Sequence, residues 1–382
     1  MKQLVKEFRT KVSILLILSM ALGIYGNMKM VNAGETYKKH INCTYEFSFI
    51  MSNLGIPGHK RMQNIEIVGN NVYATFRYNA DKDNKKDDLA ILKFKSDKKN
   101  KQAEYTGEKM VIIDGGHGEA LDTYKYTKGK TSIRYFIIGV KAYDDSTKKK
   151  NGDIDDHGDQ FATQIAFIRF KPGTSIKYSD CSRISHLNYL GKTNSSRGKV
   201  VRAVASISGS DINIRTKYSN NNYYYATYNV KNIIEKKIYK SASSDQGKSV
   251  SASDLKGTTY FKSGTAAGKC TGHASFQGME SQGAYVYISS GHNQAPRIGK
   301  YSESNMKFNM GLNLSKTFNK VQIKNPINKV TEISVNVSDC ETQGLCMDGG
   351  KVYMLIEKTY KYDNDGKKED STANMVISVP KF

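Results

Sequence analysis

A histidine and a carboxylate, His117 and Glu119, sit two residues apart in the glycine-rich run GGHGEALDTYKY, Gly115 to Tyr126. Alternate residues of an extended strand share a face, so this pair is spaced to move protons to and from one bound group as general acid and base. Gly115, Gly116 and Gly118 would let a ligand approach the backbone closely. A second kind of chemistry is aromatic. The chain has 25 tyrosines and no tryptophan, and Tyr223, Tyr224, Tyr225 and Tyr228 are clustered. A tyrosine ring stacks on a sugar face while its hydroxyl hydrogen-bonds, and lysines beside it would suit a glycan or teichoic-acid surface.

Other reactive sets fail on inspection. The Ser-Gly pairs at Ser208 and Ser290 lack the flanking pattern of a nucleophile elbow. Asn151, Asp153 and Asp155 alternate like the start of a calcium loop, but Asp156 stands where the turn glycine belongs and Ala162 where the closing glutamate belongs. Lysines interleave Asp81, Asp83, Asp87 and Asp88, which read as a solvated turn over 79–88. No Cys/His grouping has zinc spacing. The residues therefore predict no metal, no cofactor and no enzyme.

The elements that must carry these residues are announced by a repeat. Gln63 and Asn64 precede Gly69, Val72 and Tyr73; Gln277 and Gly278 precede Gly283, Val286 and Tyr287; Gln343 and Gly344 precede Gly349, Val352 and Tyr353, all at the same offsets. Each copy reads as a hairpin with a Gly/Asn turn between a short strand and a β-branched, aromatic one. One hairpin cannot bury its own apolar face, so copies must cover one another. Two further units are read from Gly115–Tyr126, Tyr135–Tyr143 and Gln160–Phe170, and from Ile184–Gly191 with Arg197–Tyr218. The second full copy takes in Ile298–Glu303, and the last runs from Gln343 to Tyr360. The strand 45–51 is expected to fasten onto 375–379, and 236–257, polar and serine-rich, to form a loop on one rim. No helical periodicity longer than about ten residues follows the leader. The expectation is an all-β single domain over 34–382, a β-propeller of five blades. Gln63, His117, Gln277 and Gln343 would begin equivalent inner strands, where they either hydrogen-bond the neighbouring unit's backbone or form a ligand-binding ring.

The leader itself, residues 1–33, has a basic start, an apolar run from Val12 to Ile24 and a small-residue site at Val31, Asn32 and Ala33, the marks of a secretory signal peptide. The run is too short for a comfortable transmembrane helix, and no later stretch could span a bilayer. The formal charge of +22 falls to +18 without the leader's five basic residues and one acid. That balance favours anionic polymers, with a merely solvated lysine-rich surface as the other reading. Export argues against nucleic acid. Five cysteines, Cys43, Cys181, Cys270, Cys340 and Cys346, leave at least one thiol over, and a strand would hold Cys340 and Cys346 apart.

Five segments in order, GHGEALDTYKY with YFIIGVK, FATQIAFIRF, ISHLNYLG with VVRAVASISGSDINI, FQGMESQGAYVYISSGH with RIGKYSE, and ETQGLCMDGGKVYM, resemble the helveticin J family of large secreted bacteriocins. The resemblance covers about Gln63 to Glu357. It implies a secreted antibacterial protein with a propeller body and no catalytic residues to carry over. The resulting expectation is a monomeric, extracellular, bacteriocin-like protein that binds a glycan or teichoic acid of related bacteria without hydrolytic chemistry. A plain lectin or adhesin, and a wall hydrolase using His117 and Glu119, are the alternatives. Gln63, His117, Glu119, Gln277, Gln343, Tyr223, Tyr224 and Tyr225 are the candidate ligand-binding residues.

Overall fold

The computed structural model describes residues 37–40, 42–56, 61–78, 87–143, 160–191, 195–238, 247–255, 261–263, 276–291, 295–325 and 327–382. The leader, the loop 151–159, Cys270, His273, His292, Asp81 and Asp83 lie outside them.

Short β-branched and aromatic runs form strands, and the repeat's glycines turn them. Gly69, Gly283 and Gly349 have φ of 63°, 63° and 54°, in the left-handed region where a side chain is strained. Among the described residues the strands make five antiparallel meanders. The first is Arg61–Val68, Asn71–Tyr78, Asp88–Asp97 and Gln102–Ile113. The second is Leu121–Lys128, Thr131–Ala142, Ala162–Ile168 and Ser182–Ser185. Val200–Ser208, Asp211–Tyr218, Tyr223–Asn229 and Phe261–Ser263 make the third. Phe276–Gln282, Tyr285–Ser290, Arg297–Ser302 and Phe308–Leu314 make the fourth. The fifth is Glu341–Asp348, Lys351–Asn364 and Lys367–Pro380, and it is completed by Thr44–Phe49 from the other end of the chain.

The opening strands of the meanders touch one another in cyclic order, the fifth returning to the first. Apolar packing repeats the same order. One buried cluster joins the first and second meanders through Leu89, Ile91, Phe136 and Ile138. Ile137, Ile165, Ile214 and Tyr228 join the second and third, and Val204, Tyr225, Met279 and Val286 the third and fourth. Tyr287, Ile298, Met354 and Met375 join the fourth and fifth, and Leu355, Val376, Ile65 and Phe76 the fifth and first. Every meander thus buries both faces against its neighbours, which is how a β-propeller satisfies hairpins that cannot stand alone, and Thr44–Phe49, pairing also with Gln102–Ile113, joins the fifth and first into one sheet. The expected fastening is present: Tyr45 pairs with Ile377 and Ser48 with Met375.

Three sequence expectations need correction. Ser182–Ser185 is the outer strand of the second meander, because Ile184 pairs with Ile165, and it does not open the third. The segment 236–257 is not only a rim loop: Ser249–Ser251 lies parallel to that outer strand and buries Val250. Asp87 and Asp88 are not solvated. Asp87 pairs with Arg77 at 2.7 Å, and Asp88 accepts the Asp114 backbone N–H at 2.8 Å. A hairpin outside the five meanders, Thr317–Lys324 with Val330–Asn336, was not anticipated. Cys43, Cys181, Cys340 and Cys346 are buried free thiols.

Candidate functional site

The three repeat glutamines occupy one structural position. Register shifts between Met62 and Asn64, between Phe276 and Gly278, and between Thr342 and Leu345 leave Gln63, Gln277 and Gln343 in β-bulges at the start of the inner strands. His117 does not join them. It precedes Leu121–Lys128, a strand that pairs without a bulge, and it lies in a turn between Gly116 and Gly118, at φ of 94° and 87°. His117 and Glu119 therefore do not share a strand face.

Beside the bulges, side chains and backbone link the five meanders into a ring around the axis. Gly278 packs against the backbone of Gly344 and Leu345, and Gly344 against Asn64, so closely that a Cβ on Gly344 would fall 2.0 Å from the Asn64 carbonyl oxygen. Asn64 donates from its amide to the backbone oxygen of Glu119 at 2.8 Å. The Glu119 carboxylate takes both Nε, at 2.6 Å, and an Nη of Arg202. Arg202 in turn donates to the Phe276 backbone oxygen at 2.8 Å, which returns the ring to the fourth meander. Glu119 is thus occupied as a planar, bidentate partner and is not a free acid.

Around this ring, guanidinium groups and aromatic faces alternate. Arg202 lies over Phe161 at 4.2 Å and over Phe276 at 4.7 Å. Arg215 lies over Phe276 at 4.0 Å and Tyr223 at 4.8 Å, and donates to the Tyr225 hydroxyl at 3.1 Å. His117 packs on Phe161 with ring centres 5.0 Å apart. Its enclosure, and then the charges of Arg77, Arg202 and Arg61, hold its pKa well below the usual histidine range. A histidine so placed is neutral at pH 7 and offers no proton to a substrate. The tyrosine cluster is also divided. Alternation on Tyr223–Asn229 puts Tyr223 and Tyr225 toward Arg215, while Tyr224 turns to Tyr218, at 5.2 Å, and Arg197, at 4.3 Å. The three tyrosines are not one patch.

Further along the axis lies a set of buried acids that sequence reasoning missed. Glu66 and Glu280 stand three residues after Gln63 and Gln277, and Cys346 three after Gln343, so the repeat itself could have found them. Asp122 joins them from the second meander. Burial first, and then the Asp122 charge, push Glu66 and Glu280 well above the usual carboxylate range, Glu280 also by the charge of Glu66. Burial raises Asp122 to about 7. The Thr123 hydroxyl donates to Glu66 at 2.8 Å, and the Ser206 and Ser281 hydroxyls meet at 2.5 Å. Among the described residues no group of three or more His, Cys, Asp or Glu is arranged to hold a metal ion.

A separate acidic pair was also missed. Glu341, Glu357 and Asn374 are in register across three neighbouring strands. Burial, and then the Glu341 charge, raise Glu357 to about 7 against the opposing pull of Arg61. One carboxylate oxygen of Glu357 and the side-chain oxygen of Asn374 are buried without a hydrogen-bond partner. Both acids lie next to the Gln343 bulge.

No known family's sequence profile matches this chain, and no curated protein does. Solved structures do resemble it in fold. An exo-β-1,3-galactanase from Phanerochaete chrysosporium is 8% identical with a TM-score of 0.40, over 88% of this chain and 64% of that one. A Trypanosoma rangeli sialidase is 7% identical with a TM-score of 0.32, over 90% and 60%. A putative glycoside hydrolase from Parabacteroides distasonis is 7% identical with a TM-score of 0.32, over 83% and 87%. The chain thus spans less than two thirds of the first and second of these structures. The expectation of a protein without enzymatic chemistry is corrected here: the three structures named above, which this chain resembles in fold alone, are a galactanase, a sialidase and a putative glycoside hydrolase. Among the described residues no helix is long and apolar enough to cross a membrane.

Proposed function

We propose that the protein is exported and binds an acidic glycan of a bacterial envelope at the mouth of its axis, in a bacteriocin-like role against related cells. The observation that carries this reading is the stack of Arg215 on Phe276 and Tyr223, of which half-buried Tyr223 is accessible, together with exposed Arg61. The exposed Arg61 guanidinium can fork onto a carboxylate and the half-buried Tyr223 ring can face a sugar, so the accessible groups address both halves of an acidic sugar, while buried Arg215 and Glu119-bound Arg202 hold the rings in place. The leader and the formal charge of +22 support export and an anionic partner. Sedimentation of the full chain with purified wall glycans tests it. Arg61→Gln, a change on an exposed side chain, is expected to weaken binding about fivefold or more with the fold intact. Equal binding by the variant, or undiminished viability of a broad panel of related strains, refutes the corresponding half of the reading.

A second reading, glycoside hydrolysis, is favoured by Glu341 and Glu357. Residues directly opposite across two strands hold their Cβ atoms about 5 Å apart, close to the separation of about 5 Å that retaining glycosidases keep between two carboxyls. A carboxyl titrating near neutrality beside a second one is the division of labour that acid and nucleophile require. Release of reducing sugar from wall glycans, abolished by Glu357→Gln while binding persists, would select this reading; an unchanged rate in that variant would dismiss it.

A further inference from the structure

A cleft of about 520 Å³ lies beside Thr44–Phe49, the strand that completes the fifth meander. Its walls are the strand Thr44–Phe49, the turn before Gln102–Ile113, and the first strand of the hairpin Thr317–Lys324 that stands outside the five meanders. Lys99, Lys101, Lys316 and Lys320 line it together with Asn100, Asn319, Thr44, Thr317 and Gln322, and none of its lining residues is acidic. Lys99, Lys101 and Lys320 are exposed. The neighbouring Asp97 is turned into its own loop, where it accepts the backbone N–H groups of Lys99 at 2.9 Å and Asn100 at 3.1 Å.

Two of the lysines are held in costly backbone conformations. Lys101 has φ of 51° and Lys320 of 58°, a region that disfavours any residue with a Cβ by roughly 1–2 kcal/mol. At Lys320 the pairing slips between Phe318 and Val321, a bulge that takes Asn319 and Lys320 out of the ladder at the cleft. Such conformations persist where the surroundings over-determine them, and they gather at binding sites.

We propose that this cleft is a second binding site, for a linear chain of phosphodiester-linked polyols. It takes a different ligand from the axial mouth and does not rest on that reading. Lysine ammonium groups are compact point charges suited to successive phosphates, whereas the mouth uses guanidinium forks. The amide and hydroxyl side chains between the lysines match the free hydroxyls of a polyol. Nucleic acid is the wrong polyanion here, because the two rings at the base of the cleft are already covered. Lys101 lies over Tyr45 at 5.5 Å and Lys316 over Phe318 at 5.3 Å, with the rings packed on each other at 5.9 Å. Bases would find no open face to stack on.

Binding of a fluorescent synthetic glycerol-phosphate oligomer to the full chain, followed by anisotropy over a range of salt, tests the site. Lys101→Gln with Lys320→Gln is expected to weaken binding about tenfold and to flatten the salt dependence by about 1.5 in logarithmic slope, two phosphate contacts' worth. Lys361→Gln with Lys367→Gln, which removes the same charge from exposed strand positions elsewhere, should bind like the parent, as should Arg61→Gln at the mouth. Circular dichroism confirms that each variant is folded. The inference is overturned if the cleft variant binds like the parent, if the control pair loses as much, if Arg61→Gln removes the binding, or if single-stranded DNA of equal charge binds as tightly.

Discussion

The axial acids make stability fall as pH rises, and Asp122→Asn isolates the effect. Unfolded, the Asp122 carboxyl titrates at about 3.8; folded, burial holds the proton until about 7. Between these values the native state binds the extra proton, so the contribution is complete below about pH 4 and is lost as pH climbs to 7. Three pH units at roughly 1.4 kcal/mol each amount to about 4 kcal/mol. Glu66 and Glu280 act in the same direction, since both are displaced upward by burial and by Asp122. Asp97 and Glu369, lowered by the hydrogen bonds they accept, pull the opposite way, so the informative quantity is the difference between parent and variant. Asparagine keeps the shape but offers one acceptor to the two backbone N–H groups, of Thr123 and Ile207, that meet Asp122. That loss costs about 1–2 kcal/mol at every pH. The variant is therefore expected to be less stable than the parent at pH 4.5 and more stable by about 2 kcal/mol at pH 8. Urea unfolding at constant ionic strength reads this, followed by far-ultraviolet circular dichroism because the chain has no tryptophan. Parallel pH profiles for the two proteins between pH 4.5 and 7 would refute the argument.

Two further outcomes follow from the axial ring. Gly344→Ala places a methyl group 2.0 Å from Asn64 Oδ1 and 2.6 Å from its Cα, and is expected to lower stability by about 1–3 kcal/mol in thermal or urea unfolding; an unchanged midpoint would mean that the meanders do not close at this point. Arg202→Met strands the buried Glu119 carboxylate and should cost about 3–5 kcal/mol, of which Glu119→Gln in the same chain should recover at least ~1 kcal/mol; strictly additive losses would deny the pairing.

Much of this architecture was legible in the residues. The three Gln-led hairpins, their glycine turns and the strand that joins the two ends of the chain follow from period-two patterning and turn chemistry, which are local. The site was legible only in outline. Gln63, Gln277 and Gln343 share a position as their spacing required, but the partner of Glu119 is Arg202, 83 residues away. No periodicity connects them, and a lone arginine in VVRAVASIS reads as an ordinary exposed strand residue. The tyrosine cluster misled for a different reason. Adjacent residues in a strand face opposite ways, so Tyr224 belongs to one interface and Tyr223 to another. Glu357 escaped notice because its displacement comes from burial, which only packing reveals, and then from Glu341, a cross-strand neighbour that only register reveals.

The departures from the repeat explain how look-alike units close in one order. Identical interfaces would let any meander follow any other, and a ring of five near-equal parts could assemble in several sequences of similar energy. Here the contacts differ. Asn64 stands where the other copies have glycine, and only a neighbour with glycine at that level, Gly344, leaves room for it. On its other side Asn64 donates to the backbone of Glu119, whose carboxylate in turn requires an arginine from the next meander. The joints made by Asn64 and by Glu119 are each complementary to one neighbour and clash with, or leave a buried charge facing, another. The polar ring at the axis therefore fixes the order of the meanders, and with it the set of arginines and aromatic rings that gather at the mouth.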